Sequence, residues 1–109
     1  MSYIMSYKWP DKDPDETIDY NIDWSRFLGS DTISSVSWFI DAADGKKTAV
    51  SATDIVNGLQ FVQKSNTTTV ATTRLAQGTN NTRYRVTCQI TTAGGLTFER
   101  SVFIRAKEK

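Results

Sequence analysis

Apolar and polar residues alternate with a period of two through most of this 109-residue chain. Ile18, Tyr20, Ile22 and Trp24 fall on one side of an extended backbone, and Asp19, Asn21 and Asp23 on the other. Val36, Trp38 and Ile40 repeat the pattern against Ser35, Ser37, Phe39 and Asp41. Tyr84, Val86, Cys88 and Ile90 repeat it against Arg85, Thr87 and Gln89, and Val102 and Ile104 carry it into the last segment. Successive side chains of a strand point to opposite faces, so each run predicts a strand with one dry and one wet face. Long runs at helical spacing are missing, which points to an all-β chain.

Turn signals divide this alternation. Gly29, in WSRFLGSD, reverses the chain after the first strand. Asp44-Gly45 predicts a two-residue hairpin. Thr53 to Asn57, closed by Gly58, predicts one helical turn. Leu59 to Lys64 and Thr68 to Leu75 read as strands joined through Ser65-Asn66, followed by a turn at Gly78 to Asn81 and a hairpin at Ala93-Gly94-Gly95. About seven short strands predict an antiparallel β-sandwich over residues 17–109, and a chain of this length fills one core. Residues 1–16 are expected to be an extended N-terminal arm, since Pro10 and Pro14 push their preceding residues toward extended geometry. Trp38 is the expected core anchor. Tyr84 is the expected tyrosine corner, its hydroxyl bonding backbone near the Gly78 turn. The alternative is that both are ordinary core aromatics.

Residues 8–24 read KWPDKDPDETIDYNIDW and crowd acids between two tryptophans. Asp11, Asp13 and Asp15 have the spacing that opens a calcium loop. That loop also wants glycine at its sixth position and glutamate at its twelfth, where this chain has Glu16 and Ile22. Zinc lacks ligands, because the chain has no histidine and one cysteine. Asp19 and Asp23 lie on a wet strand face, where solvent keeps both ionised, so neither suits acid–base work. Gly94-Gly95 is a turn and not a phosphate loop. The expectation is a protein that is no enzyme, without catalytic, cofactor-binding or metal residues. The acids are the wet face of a first strand, where charge discourages edge-to-edge pairing.

Net charge is +1, and basic and acidic residues alternate along the chain, unlike the clustered cations of a nucleic-acid groove. No stretch approaches the ~20 apolar residues of a membrane-spanning helix. The expected partners therefore include neither nucleic acid nor membrane. Cys88 has no second cysteine to pair with in the chain and is expected to be a buried small apolar residue. No secretory h-region opens the sequence, so folding in a reducing compartment is expected, and the sequons at Asn66 and Asn80 are read as chance. Phe39 and Phe103 are out of phase with the dry faces of their strands. With Tyr3, Tyr7 and Trp9 of the arm they make a candidate protein interface. The alternative is that a loop or the arm covers them.

WPDKDPDETIDYNIDW and DTISSVSW, with TRYRVTCQITTAGG and FERSVFIR later, resemble the phage fibre–tail adaptor proteins, a family of small tailed-phage proteins. The resemblance covers residues 9–41 and 66–105. It rests on a KDPDE-x-x-DY-x-IDW start and an ITTAGG-x-x-x-ERS hairpin, and residues 42–58 depart from it as a longer link. It implies an immunoglobulin-like β-sandwich in the virion, joining tail or neck components to fibres. The expected partners are other virion proteins and neighbouring copies of the chain, with assembly in the host cytoplasm. A capsid decoration protein is the first rival reading. A carbohydrate-binding β-sandwich is a second, hinted at only by Trp9 beside Asp11.

Overall fold

The computed structural model describes residues 7–41 and 47–108, with the backbone alone for Tyr7. In chain order the elements are β1 (Tyr7–Lys8), β2 (Ile18–Asp23), α1 (Ser25–Leu28), β3 (Ile33–Asp41), β4 (Lys47–Val50), β5 (Ile55–Val56), β6 (Leu59–Asn66), β7 (Val70–Gln77), β8 (Thr82–Thr92) and β9 (Thr97–Ala106). They form two sheets, β1-β9-β8-β3-β4 and β2-β7-β6-β5. All strand pairs among the described residues are antiparallel except β1 on β9. This is the expected all-β sandwich. Its two extra strands, β1 and β5, are two residues long and add to sheet edges.

The sequence phases hold for the dry faces, but Thr87, expected on a wet face, is buried with its hydroxyl bonded to that of Ser101. Tyr20, Ile22 and Trp24 are buried, as are Val36, Trp38 and Ile40, and Tyr84, Val86, Cys88 and Ile90. Trp38 is 1% exposed and lies opposite Cys88 in the β3–β8 register. Truncating a buried aromatic of this kind costs about 3–5 kcal/mol. Among the described residues no helix is long and apolar enough to cross a membrane.

The middle of the chain differs from expectation. Residues 53–57 make no helical turn, and Ile55–Val56 instead pairs with Leu59–Gln60 as a hairpin. Asn57 and Gly58 form its two-residue turn with φ of 51° and 88°. Positive φ at both central residues is the geometry that Asn-Gly favours, and it twists with the strands. The β6–β7 hairpin turns at Thr67 to Thr69, not at Ser65-Asn66. There the Thr67 hydroxyl accepts from the Val70 amide at 3.0 Å. Asp44-Gly45 lies outside the described residues, although the flanking strands pair antiparallel, with Asp41 opposite Lys47.

The acid-rich lead-in is a structured turn. The Asp13 amide donates to Glu16 Oε1, and the Glu16 amide donates back to the Asp13 carbonyl, both at 2.9 Å. Asp13 Oδ1 accepts from the Asp15 amide at 2.9 Å. This reciprocal exchange across three residues resembles a capping box, with Pro14 fixing the bend. Just before it, Lys12 is fully buried, and its Nζ donates to the carbonyls of Gln77 at 2.6 Å and Asp13 at 2.9 Å. The lead-in is thereby fastened to the end of β7. The ITTAGG hairpin is fastened in the same manner: Asp31 Oδ1 accepts from the amides of Thr32 and Gly94. A Cβ at position 94 would meet the Asp31 carboxylate at 2.8 Å, so any larger residue would have to displace that carboxylate.

Tyr84 is a corner residue. Its hydroxyl accepts from the Thr79 amide at 2.9 Å, one residue past Gly78, and donates to the Asn57 carbonyl at 2.6 Å. It ties the β7–β8 turn to the β5–β6 turn. Tyr84→Phe strands both backbone partners, at about 1–3 kcal/mol. At roughly 4–8 °C per kcal/mol the melting temperature should fall by at least ~4 °C in calorimetry. A shift within ~1 °C would show that the hydroxyl is not a structural tie.

Candidate functional site

Phe39 and Phe103 both lie on the outer face of the five-stranded sheet. Phe103 on β9 stands opposite Arg85 on β8, and Phe39 on β3 opposite Thr87, two residues along β8 on the same face. Two strand spacings, about 10 Å, separate the two phenylalanines across the sheet. Each is half-buried beneath a cation. Lys47 Nζ sits 4.7 Å from the Phe39 ring centre, and Arg83 Cζ 4.1 Å from that of Phe103. A cation over a ring at an exposed site is worth about 0.5–1 kcal/mol.

Further charges surround the pair. Lys47 donates to Glu99 at 2.9 Å, and Arg85 pairs with Asp41. Arg105 donates to Asp11 at 2.8 Å. That hydrogen bond holds the Asp11 carboxyl below the usual carboxylate range, aided by the charges of Arg105, Lys8 and Lys107. Lys8, Arg83, Phe103, Ile104 and Arg105 line a recess of about 340 Å³ at the β1–β9–β8 end of this face. Neither Lys8 nor Arg83 makes a direct ion pair among the described residues.

The other three interface candidates fare differently. Tyr3 lies outside the described residues. Tyr7 takes part through its backbone, beside Val102. Trp9 is corrected from surface to core: it is 9% exposed and stacks on Tyr20 at 4.7 Å with an interplanar angle of 24°. Parallel pairing explains this. The Trp9 amide donates to the Phe103 carbonyl, which carries the indole onto the open side of the sandwich near Ile22 and Val102. The cations that crown the face were legible only as outward strand positions. Period-two parity gave their side, but nothing local gave the parallel β1–β9 pairing that sets Lys8 beside Phe103.

The acids are engaged in structure. Asp19 accepts from Arg74 at 2.7 and 3.2 Å across β2 and β7, and Asp23 Oδ1 accepts from the Ser25 amide at the start of α1. No group of three or more His, Cys, Asp or Glu side chains converges to hold a metal among the described residues.

These contacts set the response to pH. Hydrogen bonds from Arg105, Arg74, the Ser25 amide and Thr92 hold Asp11, Asp19, Asp23 and Asp31, respectively, below their usual value. A carboxylate lowered in the fold adds stability above its unfolded pKa, near 4, and loses it as pH falls through the folded value. Burial drives Tyr20 and Cys88 upward, each to about 12 from 10.0 and 9.0. Those acids keep their proton in the fold and shed it when unfolded. Their contribution is complete below about pH 9 and is lost as pH rises toward 12. With no histidine, the melting temperature should be flat between about pH 5 and 8, falling below 4 and above 9. A steep slope between pH 5 and 8 would contradict this assignment of charges.

Comparison with known proteins is consistent with this geometry. A search of curated proteins finds no match. A family model described as podophage GP4 fiber-tail adaptor protein gp77 matches residues 12–105, from the buried lysine of the lead-in to the penultimate residue of β9. The match spans both sheets, both fastened turns and the outer face with Phe39 and Phe103, and the chain belongs to this podophage fibre–tail adaptor family.

Proposed function

We propose that the chain joins tail or neck components of the virion to fibres by protein–protein contacts on the outer face of β1-β9-β8-β3-β4. The single observation that carries this is the family match over residues 12–105, which makes the protein a structural component of a phage. The geometry supports the finer reading. The inner faces of both sheets are consumed by the core, while the outer face keeps two phenylalanines under cations. Aromatic residues and arginine are enriched where proteins meet. No catalysis is part of this role. Other virion proteins are the partners, with neighbouring copies of the chain among them. The protein works in the virion tail after assembly in the host cytoplasm.

An immunoglobulin-like connectivity is supported by strand order. β2-β7-β6 facing β9-β8-β3 follows the B-E-D and G-F-C orders of that fold, with Trp38 on β3 in the place of strand C and Cys88 on β8 in the place of strand F. The carbohydrate-binding alternative loses its hint, because Trp9 is buried and offers no ring to a sugar. A capsid decoration role finds no specific observation in its favour.

Lysine cross-linking of purified virions with mass spectrometry tests the proposal. Lys8 and Lys47, one at each side of the outer face, should link to tail or fibre proteins. Links to the major capsid protein alone, or absence of the chain from the particle, would overturn it.

A further inference from the structure

We infer that the recess around Phe103 is a docking site for a carboxylate-rich segment of a partner virion protein. This deepens the adaptor reading and rests on it. Lys8 and Arg83 are exposed cations that make no direct ion pair among the described residues, and both line the same recess. Arg83 lies over the Phe103 ring at 4.1 Å. A guanidinium stacked on a ring still presents N–H donors at its edge, in the fork that suits a carboxylate. Arg105, one of the cations that line the recess, already pairs with a carboxylate of its own chain. Asp11 takes a 2.8 Å hydrogen bond from Arg105 at the rim, which shows that an acid is accommodated there. Phe103 supplies a half-buried apolar floor between these cations, so the best fit is an acidic segment carrying an apolar or aromatic side chain.

Charge layout favours such a segment over nucleic acid. Asp11, Asp41 and Glu99 are interspersed with Arg105, Arg85 and Lys47 on the same face. A continuous phosphate backbone crossing the sheet would meet these acids. A short peptide along the β1–β9 end meets Lys8, Arg83 and Arg105 first. Lys8 and Arg83 lie together at this end of the face, so the complementarity is local rather than spread over the face.

The test uses the full chain, labelled with 15N, and two synthetic peptides: four glutamates around a phenylalanine, and the same peptide with glutamines. The acidic peptide should give saturable amide shifts at Lys8, Arg83, Phe103 and Arg105, weakening as salt screens the contact. The Lys8→Glu/Arg83→Glu double variant should reduce affinity at least ~10-fold, the scale of losing about 1.4 kcal/mol. Lys8→Gln/Arg83→Gln should show an intermediate loss. This milder pair keeps the test valid if charge reversal disturbs folding. Gln63→Glu, on the other sheet, should bind as the parent does. No saturable shift, equal binding of the glutamine peptide, or tighter binding of a 12-base-pair duplex at the same residues would overturn the inference. Incorporation into virions separates the two readings. If the parent chain is absent from particles, the adaptor reading fails. If the parent is present and the double variant incorporates and attaches fibres equally well, the docking site fails while the adaptor reading stands.

Discussion

Packing of Trp9 against Tyr20 and Trp38 in the open side of the sandwich is the contact on which the remaining arrangement depends. Trp9 comes from the lead-in, Tyr20 from one sheet and Trp38 from the other, with ring centres 4.7 and 6.4 Å from that of Trp9. The two sheets share one core at this point. Burying large aromatic side chains is worth a few kcal/mol each, comparable to the backbone entropy of the few residues that deliver Trp9. The lead-in is therefore held by additional ties. Its backbone bonds to Phe103 and Arg105, and Lys12 reaches the carbonyl of Gln77. A fully buried ammonium is costly to desolvate unless its hydrogen bonds are made, and here two carbonyls meet it.

This attachment has a consequence on the opposite surface. Because β1 joins β9 in parallel, Lys8 arrives beside Phe103 on the outer face as Trp9 turns inward. The same short segment thus closes the core and completes the cationic rim of the recess. Asp11 then pairs directly with Arg105, while Arg83 and Lys8 line the recess without a direct ion pair among the described residues. A chain with ordinary composition and a net charge of +1 gathers these charges by arrangement alone.

Long strands with a dry face were legible because parity constrains them strongly: a slip of one residue would expose Trp38 and bury Ser37. The Tyr84 corner was legible for a related reason, since a phenol on a dry face beside a glycine turn needs a polar partner. The two-residue strands were not. Tyr7–Lys8 and Ile55–Val56 are too short to show alternation, and tertiary pairing creates them. Asn57-Gly58 was a turn signal hidden by the polar run before it, which reads equally well as a helical turn. The fate of Trp9 depended on the parallel β1–β9 pairing, a contact between residues more than ninety positions apart, and no local pattern carries that information. At the candidate site, Phe39 and Phe103 were visible as aromatics out of phase. Their shared face needed the strand order β9-β8-β3, and their cations needed the register.

Native-state hydrogen exchange tests most directly whether the lead-in belongs to the core. The amides of Trp9 and Lys12 donate to Phe103 and Arg105, and that of Lys107 donates back to Lys12. If Trp9 closes the sandwich, these amides should exchange as slowly as Val86 and Cys88 in the central strand β8, through the same global opening. Rapid exchange at Trp9 and Lys12 while β8 stays protected would show a lead-in that opens independently, and would contradict the account.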